Sequence, residues 1–137
     1  MAGPRLAGEL GVSADDPLWR IERVFAVDGA PAVLMRDFAA TVYGDTAIRP
    51  EDLSDIDTNM IDLIREQTGI AMTRTTGSLA AVVADATAAR LLDVAEGQPL
   101  VHIRQQCLTS AGTPVLYTSV YYHTDVVTLS INRTVRR

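Results

Sequence analysis

LGVSADDPLWRIERVFAVDGAPAVLMRDF, from Leu10 to Phe38, and LDVAEGQPLVHIRQQCLTSAGTPVLYTSVY, from Leu92 to Tyr121, say nearly the same thing twice. Each starts at a Leu-rich helix end and runs through an acidic turn that closes on a proline, Pro17 or Pro99. Each then alternates as a strand, turns at a glycine and returns as a second strand behind another proline, Pro31 or Pro114. A repeat of this length predicts two related helix-hairpin units stacked in one fold. The fold class expected is therefore α+β, an antiparallel sheet with helices packed on it.

Working outward, Pro4 to Leu10 predicts a short helix stopped by Gly11. In the strand that follows, Trp19, Ile21, Arg23 and Phe25 share one face, while Arg20 and Glu22 lie on the other. Asp28-Gly29 is a tight-hairpin signal, with a return strand from Ala32 to Ala40. Gly44 to Asp57 reads as a loop, and a helix is expected from Thr58 to Thr68, apolar at Met60, Ile61, Leu63 and Ile64 and stopped by Gly69. Met72 to Val83 is β-branched and Thr-rich, hence a strand, and Asp85 is a good N-cap for a helix from Ala86 to Leu92. Leu100 to Thr109 and Val115 to His123 form the second hairpin around Ala111-Gly112, with a last strand expected from Val126 to Ile131.

The two copies are unequal. The second has a strand ahead of its helix, and the first has nothing ahead of Pro4. The sheet that the repeat demands is short of one strand. The expectation is that the natural chain begins further upstream, or that another chain or segment completes that edge.

At 137 residues the chain has the length of one domain, large enough to bury roughly two thirds of its unfolded surface. Its 47% hydrophobic and 21% charged residues are globular proportions. Charged residues interrupt every apolar run, so no stretch is expected to span a bilayer, and the N-terminus lacks a signal pattern. Both point to the cytoplasm and to no membrane partner. The single Cys107 cannot form an internal disulfide and is expected to be a buried, inert thiol. A net charge of −5 disfavours a phosphate backbone as partner. The basic side chains are all Arg, and only Arg133, Arg136 and Arg137 cluster, at a tail that reads as solvated.

Catalytic patterns are nearly absent. There is no phosphate loop, nucleophile elbow or HExxH, and Cys and His are too few for a metal cluster. His102 and His123 fall in separate strands without catalytic partners, as sheet-surface or pocket histidines. The acids Glu51, Asp52, Asp55 and Asp57 lack the Gly of a calcium loop and read as a solvated loop with helix-capping acids. Arg23 is different, because it shares a face with Trp19, Ile21 and Phe25 and must find an anion there. That anion is either an acidic ligand in the concavity of the sheet or a local carboxylate.

Three segments carry a family resemblance: LGVSADDPLWRIER (Leu10–Arg23), ADATAARLLDV followed four residues later by Pro99-Leu100, and SVYYHTD (Ser119–Asp125). With the helix TNMIDLIREQTGI between them, the sequence from about Pro4 to Asn132 resembles a UTRA domain, the effector-sensing half of HutC-type GntR transcription regulators. The resemblance implies a chorismate-lyase-like fold, a small-molecule effector, a homodimer, and DNA contact only through a winged helix-turn-helix module that this chain does not contain. The whole of 1–137 is then a single ligand-sensing domain, not an enzyme, with no cofactor and no metal.

Relatives that bind sugar phosphates use a polar pocket, and its positions fall here on Arg23, Phe25, Met35, Thr58, Met60, Leu116 and Tyr122. The second Arg of their first strand has become Phe25, the carboxylates have become Met35 and Leu116, and a Ser and a Tyr have become Thr58 and Met60. A sugar phosphate needs charge-assisted bonds that this set does not supply. The residues suit a mainly apolar ligand, or one with a single carboxylate for Arg23. Two other functions remain open at this stage: a dimerisation or partner-binding module whose pocket is core, and a chorismate-lyase-like enzyme, for which shared fold alone is weak grounds.

Overall fold

The alternation of Leu18–Val27 (β1) and the positive φ of Asp28 (+51°) and Gly29 (+82°) fold the first hairpin back on itself, pairing β1 with Ala30–Ala40 (β2). Two consecutive left-handed residues match the right-handed twist of the flanking strands, which is why Asp-Gly serves here. The computed structural model describes residues 3–52, 59–132, 134 and 135. Asp55, Asp57, Thr58, Arg133, Arg136 and Arg137, all singled out above, lie outside them.

Among the described residues the remaining elements are Gly3–Leu10 (α1), Val42–Tyr43 (β3), Thr46–Ala47 (β4), Met60–Thr68 (α2), Arg74–Val83 (β5), Ala86–Leu92 (α3), Pro99–Leu108 (β6) and Pro114–Tyr122 (β7). The main sheet runs β1-β2-β7-β6-β5, with every neighbouring pair antiparallel. The order helix-strand-strand occurs twice, as α1-β1-β2 and α3-β6-β7. The helix ends correspond too: after α1 the Val12 amide donates to the Ala7 carbonyl at 3.1 Å, and after α3 the Val94 amide donates to Ala89 at 3.0 Å. Gly11 and Asp93 hold the left-handed cap positions, at φ +64° and +53°. An Asp tolerates that conformation better than most side chains do.

Helices cover both faces of the sheet. On one face Ala39, Leu116 and Cys107 line up across β2, β7 and β6, and the apolar stripe Met60, Leu63 and Ile64 of α2 packs on them. On the other, Leu34 and Leu100 meet Ala88, Ala89 and Leu92 of α3. The same face receives α1, where the Gln106 side chain donates to the Glu9 carbonyl at 2.9 Å. Burying both faces explains why β2 and β7 carry so little polar surface.

Both helix caps form as local chemistry requires. Asp85 accepts from the Ala88 amide at 2.8 Å, and Asn59, rather than a loop acid, accepts from the Asp62 amide at 2.9 Å. The loop expected over Gly44 to Asp57 contains more structure than its composition implied: β3 and β4 make a small hairpin, followed by a 3-10 turn at Pro50–Asp52. Tyr43 ties that hairpin to the sheet, donating to the Val115 carbonyl at 2.7 Å and accepting from the Ala40 amide. Burial pushes its phenol up to about 12.

The closing strand expected at Val126–Ile131 does not form. The Val126 and Val127 amides both turn back to the His123 carbonyl, at 3.0 Å each, so the donors a ladder would need are spent in a turn.

β5 crosses close to β6 at Gly77. A Cβ there would run into the Arg104 carbonyl oxygen and sit 2.8 Å from the Gln105 Cβ. Gly77→Ala should therefore destabilise the domain by about 1–3 kcal/mol, the usual cost of overpacking. Urea denaturation measures this, and an unchanged midpoint would mean that the edge strand moves aside freely.

Candidate binding site

One face of the sheet presents two polar rungs between apolar ones. Strand pairing sets Arg23 beside Met35, and on the next same-face rung Ile21, Asp37, Thr118 and Gln105 stand in a row across β1, β2, β7 and β6. The following rung is the Ala39, Leu116, Cys107 floor beneath α2. Asn59, Met60 and Ile61, where α2 begins, close a cavity of about 90 Å³ over Arg23, Met35, Asp37, Leu116 and Thr118.

The centre of this cavity wall is an ion pair. Arg23 Nη2 lies 3.2 Å from Asp37 Oδ2 and 3.5 Å from Met35 Sδ. The guanidinium sits over the Phe25 ring at 5.2 Å, a cation–π contact. The other carboxylate oxygen, Asp37 Oδ1, accepts from the Thr118 hydroxyl at 2.9 Å. Asp37 is only 3% exposed and is the one buried carboxylate among the described residues. Burial pushes its acid up from the ordinary Asp value, outweighing the opposing pull of Thr118 and Arg23. The Cys107 thiol beneath it is fully buried and pushed up to about 11, by burial first and by the Asp37 charge second, so it stays protonated and unreactive.

Of the two partners open to Arg23, the structure supplies the local carboxylate, and from a residue the sequence comparison passed over. The carboxylate expected at position 35 is Met35, and the acid stands two residues further on, on the same face. Arg23, Met35, Met60 and Leu116 come together around the cavity. Phe25 lies one same-face rung outward, under the guanidinium. Tyr122 does not reach the lining: it pairs with Val33 and Val101, two same-face rungs from Thr118, and burial raises its phenol pKa. Thr58 falls outside the described residues. Asp37, Thr118, Gln105, Asn59 and Ile61 were missed, though period-two alternation from Met35 points directly at Asp37.

His102 and His123 stand apart from this site. His102 shares a 2.6 Å hydrogen bond with the Ser119 hydroxyl on the opposite face and stacks on Tyr121, with ring centroids 4.1 Å apart. His123 lies 3.4 Å from Asp125 at the end of β7. Larger surface hollows occur near Arg104 (about 220 Å³) and near Asp28 and Asp93 (about 370 Å³), but no charged group lining them is buried. The α2 cavity alone among these joins a buried charge to an apolar wall. It is far smaller than the roughly 300–1,000 Å³ of drug-sized sites, so it fits a group of only a few heavy atoms.

Because the folded-state pKa of Asp37 is raised above its unfolded value, its contribution to stability is fully present below about pH 4, near the ordinary Asp value. It is lost as pH rises through the folded pKa. The stability of the native protein relative to Asp37→Asn should therefore decline as pH climbs through that window. Denaturation of both at several pH values tests this; a difference that grew with pH would mean the ion pair outweighs burial.

The sequence pattern that defines the UTRA domain matches residues 1–128. Among solved structures, the C-terminal domain of Yurk from Bacillus subtilis superposes with a TM-score of 0.83 at 22% identity, over 96% of this chain and 89% of that one. The effector domain of PhnF from Mycobacterium smegmatis gives 0.82 at 24% identity, over 98% and 80%. The ligand-binding domain of a candidate GntR-family transcriptional regulator from Bordetella bronchiseptica gives 0.80 at 24%, over 96% and 84%. No curated protein matches the chain by sequence. At these identities the superpositions establish the fold, while the pattern spans nearly the whole sequence: the chain belongs to the UTRA domain family.

Proposed function

We propose that this chain is the effector-binding domain of a GntR-type transcription regulator of the HutC group, and that its effector is a small, mainly apolar molecule held under α2. The observation that carries this is the Arg23–Asp37 pair set into an apolar cavity of a UTRA domain. The likeness to an effector domain and to a ligand-binding domain of regulators supports it. The effector contacts in this proposal are Arg23, Phe25, Met35, Met60 and Leu116. Tyr122 stands further out on the same face, and Thr58, also expected from the resemblance, lies outside the described residues. DNA is reached through a winged helix-turn-helix module outside this chain, the setting is the cytoplasm, and no catalysis is involved. The paired α1-β1-β2 and α3-β6-β7 units, with matching caps, favour a chorismate-lyase-like fold of duplicated origin.

A thermal-shift screen against small apolar molecules and their carboxylic acids tests the proposal. A ligand at 100 times its Kd stabilises the native state by about 2.7 kcal/mol, or about 10 °C for a domain of this size. Arg23→Ala, read against its own unliganded Tm, should abolish the gain. A flat screen would leave the cavity as core.

The regulator is a homodimer in this proposal, and β5 is the element that favours it. β5 closes the sheet at one edge with nearly every side chain exposed, Leu79 at 62% and Val83 at 65%. An apolar edge of this kind is a template for pairing with another strand. Leu79→Asp with Val83→Asp should turn a dimer into a monomer by light scattering; a dimer that persisted would move the interface away from β5.

A further inference from the structure

We infer that Asp37 sets the charge of the molecule this cavity accepts: an uncharged ligand enters with the Arg23–Asp37 pair intact, whereas a carboxylate gains Arg23 only when Asp37 takes up a proton. The inference rests on the cavity being the effector site. Its ground is geometric. Arg23 already holds a carboxylate at 3.2 Å, and that carboxylate has its second oxygen on Thr118 at 2.9 Å and is almost wholly withdrawn from water.

A ligand carboxylate would have to occupy the same guanidinium. Two ionised carboxylates crowded on one half-buried cation repel each other, and the usual resolution is that one of them becomes neutral. Asp37 is the one already biased that way by burial. The proton comes from solvent and ends on an Asp37 oxygen, and no other bond changes.

The surroundings offer no other carboxylate, among the described residues, to take the proton. Among the described residues, β1 presents Arg23, β6 presents Gln105 and the protonated Cys107, β7 presents Thr118, and the start of α2 presents Asn59, Met60 and Ile61. A neutral molecule of the same shape displaces none of them. It meets an ion pair that bears no net charge and a wall of Met35, Met60 and Leu116.

The test uses a matched pair of probes, n-butyramide and n-butyrate, titrated into the whole chain at pH 6, 7 and 8. Binding is followed through the NMR shifts of the Gln105, Cys107 and Thr118 amides. A simple carboxylate is ionised in solution across that range, so binding that weakens with pH means that the complex takes up a proton between the two carboxyl groups. Butyramide should bind equally at all three values, and butyrate should bind more weakly as pH rises. The loss reaches up to about tenfold per pH unit where Asp37 is ionised in the free protein, the signature of one proton taken up. In Asp37→Asn the pH dependence of butyrate should vanish, which also separates Asp37 from the two histidines. Butyrate binding that ignores pH in the native protein overturns the inference, and this holds even if the variant does not fold. Probes that move none of the three amides overturn the assignment of the cavity itself, and the role of Asp37 with it.

Discussion

The fold depends on one strand being buried from both sides. From Val115 to Val120 every residue of β7 is buried, because α2 packs on one face of the sheet while α1 and α3 pack on the other. Such a strand tolerates no slip in register, since a shift of one residue would send Leu116, Thr118 and Val120 to the wrong face. β2 is pinned against it by the same constraint, and β1 is pinned in turn through the Asp28-Gly29 turn. The strand wall of the α2 cavity inherits its geometry from this register.

That inheritance explains how a charged pair survives inside the domain. Breaking a buried ion pair by removing one partner typically costs about 3–5 kcal/mol, because the other charge is left without compensation. Arg23 and Asp37 stand on adjacent strands at positions the hairpin alone determines, and Thr118 is delivered by the central strand next to them. Three strands must pair correctly before the carboxylate is satisfied. The pair is therefore a consequence of the folded sheet more than a cause of it, and it leaves the cavity with a polar spot whose charge is already balanced.

Much of this was legible in the chain. Wherever structure is dictated locally, the residues announced it: the Asp85 cap, the Asp-Gly turn, the left-handed stops at Gly11 and Gly69, and the face shared by Trp19, Ile21, Arg23 and Phe25. Where it depends on a partner strand, they did not. Val126–Ile131 has strand composition but no neighbour, and its first amides close a turn instead. The β3–β4 hairpin was hidden for the opposite reason, since Tyr43 stabilises it from a distance through Val115. Asp37 was missed because a residue-by-residue comparison looks for an acid at position 35. The sheet needs only that the acid be on the right face and within reach of Arg23.

Thr118 and Ser119 are neighbours in sequence that look in opposite directions. One holds Asp37 in the cavity, and the other holds His102 among the side chains beneath α1 and α3. A planar peptide unit joins them and cannot flex between its two ends. A shift of the backbone at Thr118 is therefore shared with Ser119, whereas a turn of the Thr118 side chain alone is not. The central strand thus joins the two surfaces of the domain through one peptide unit, tying the backbone behind Asp37 to the backbone behind His102.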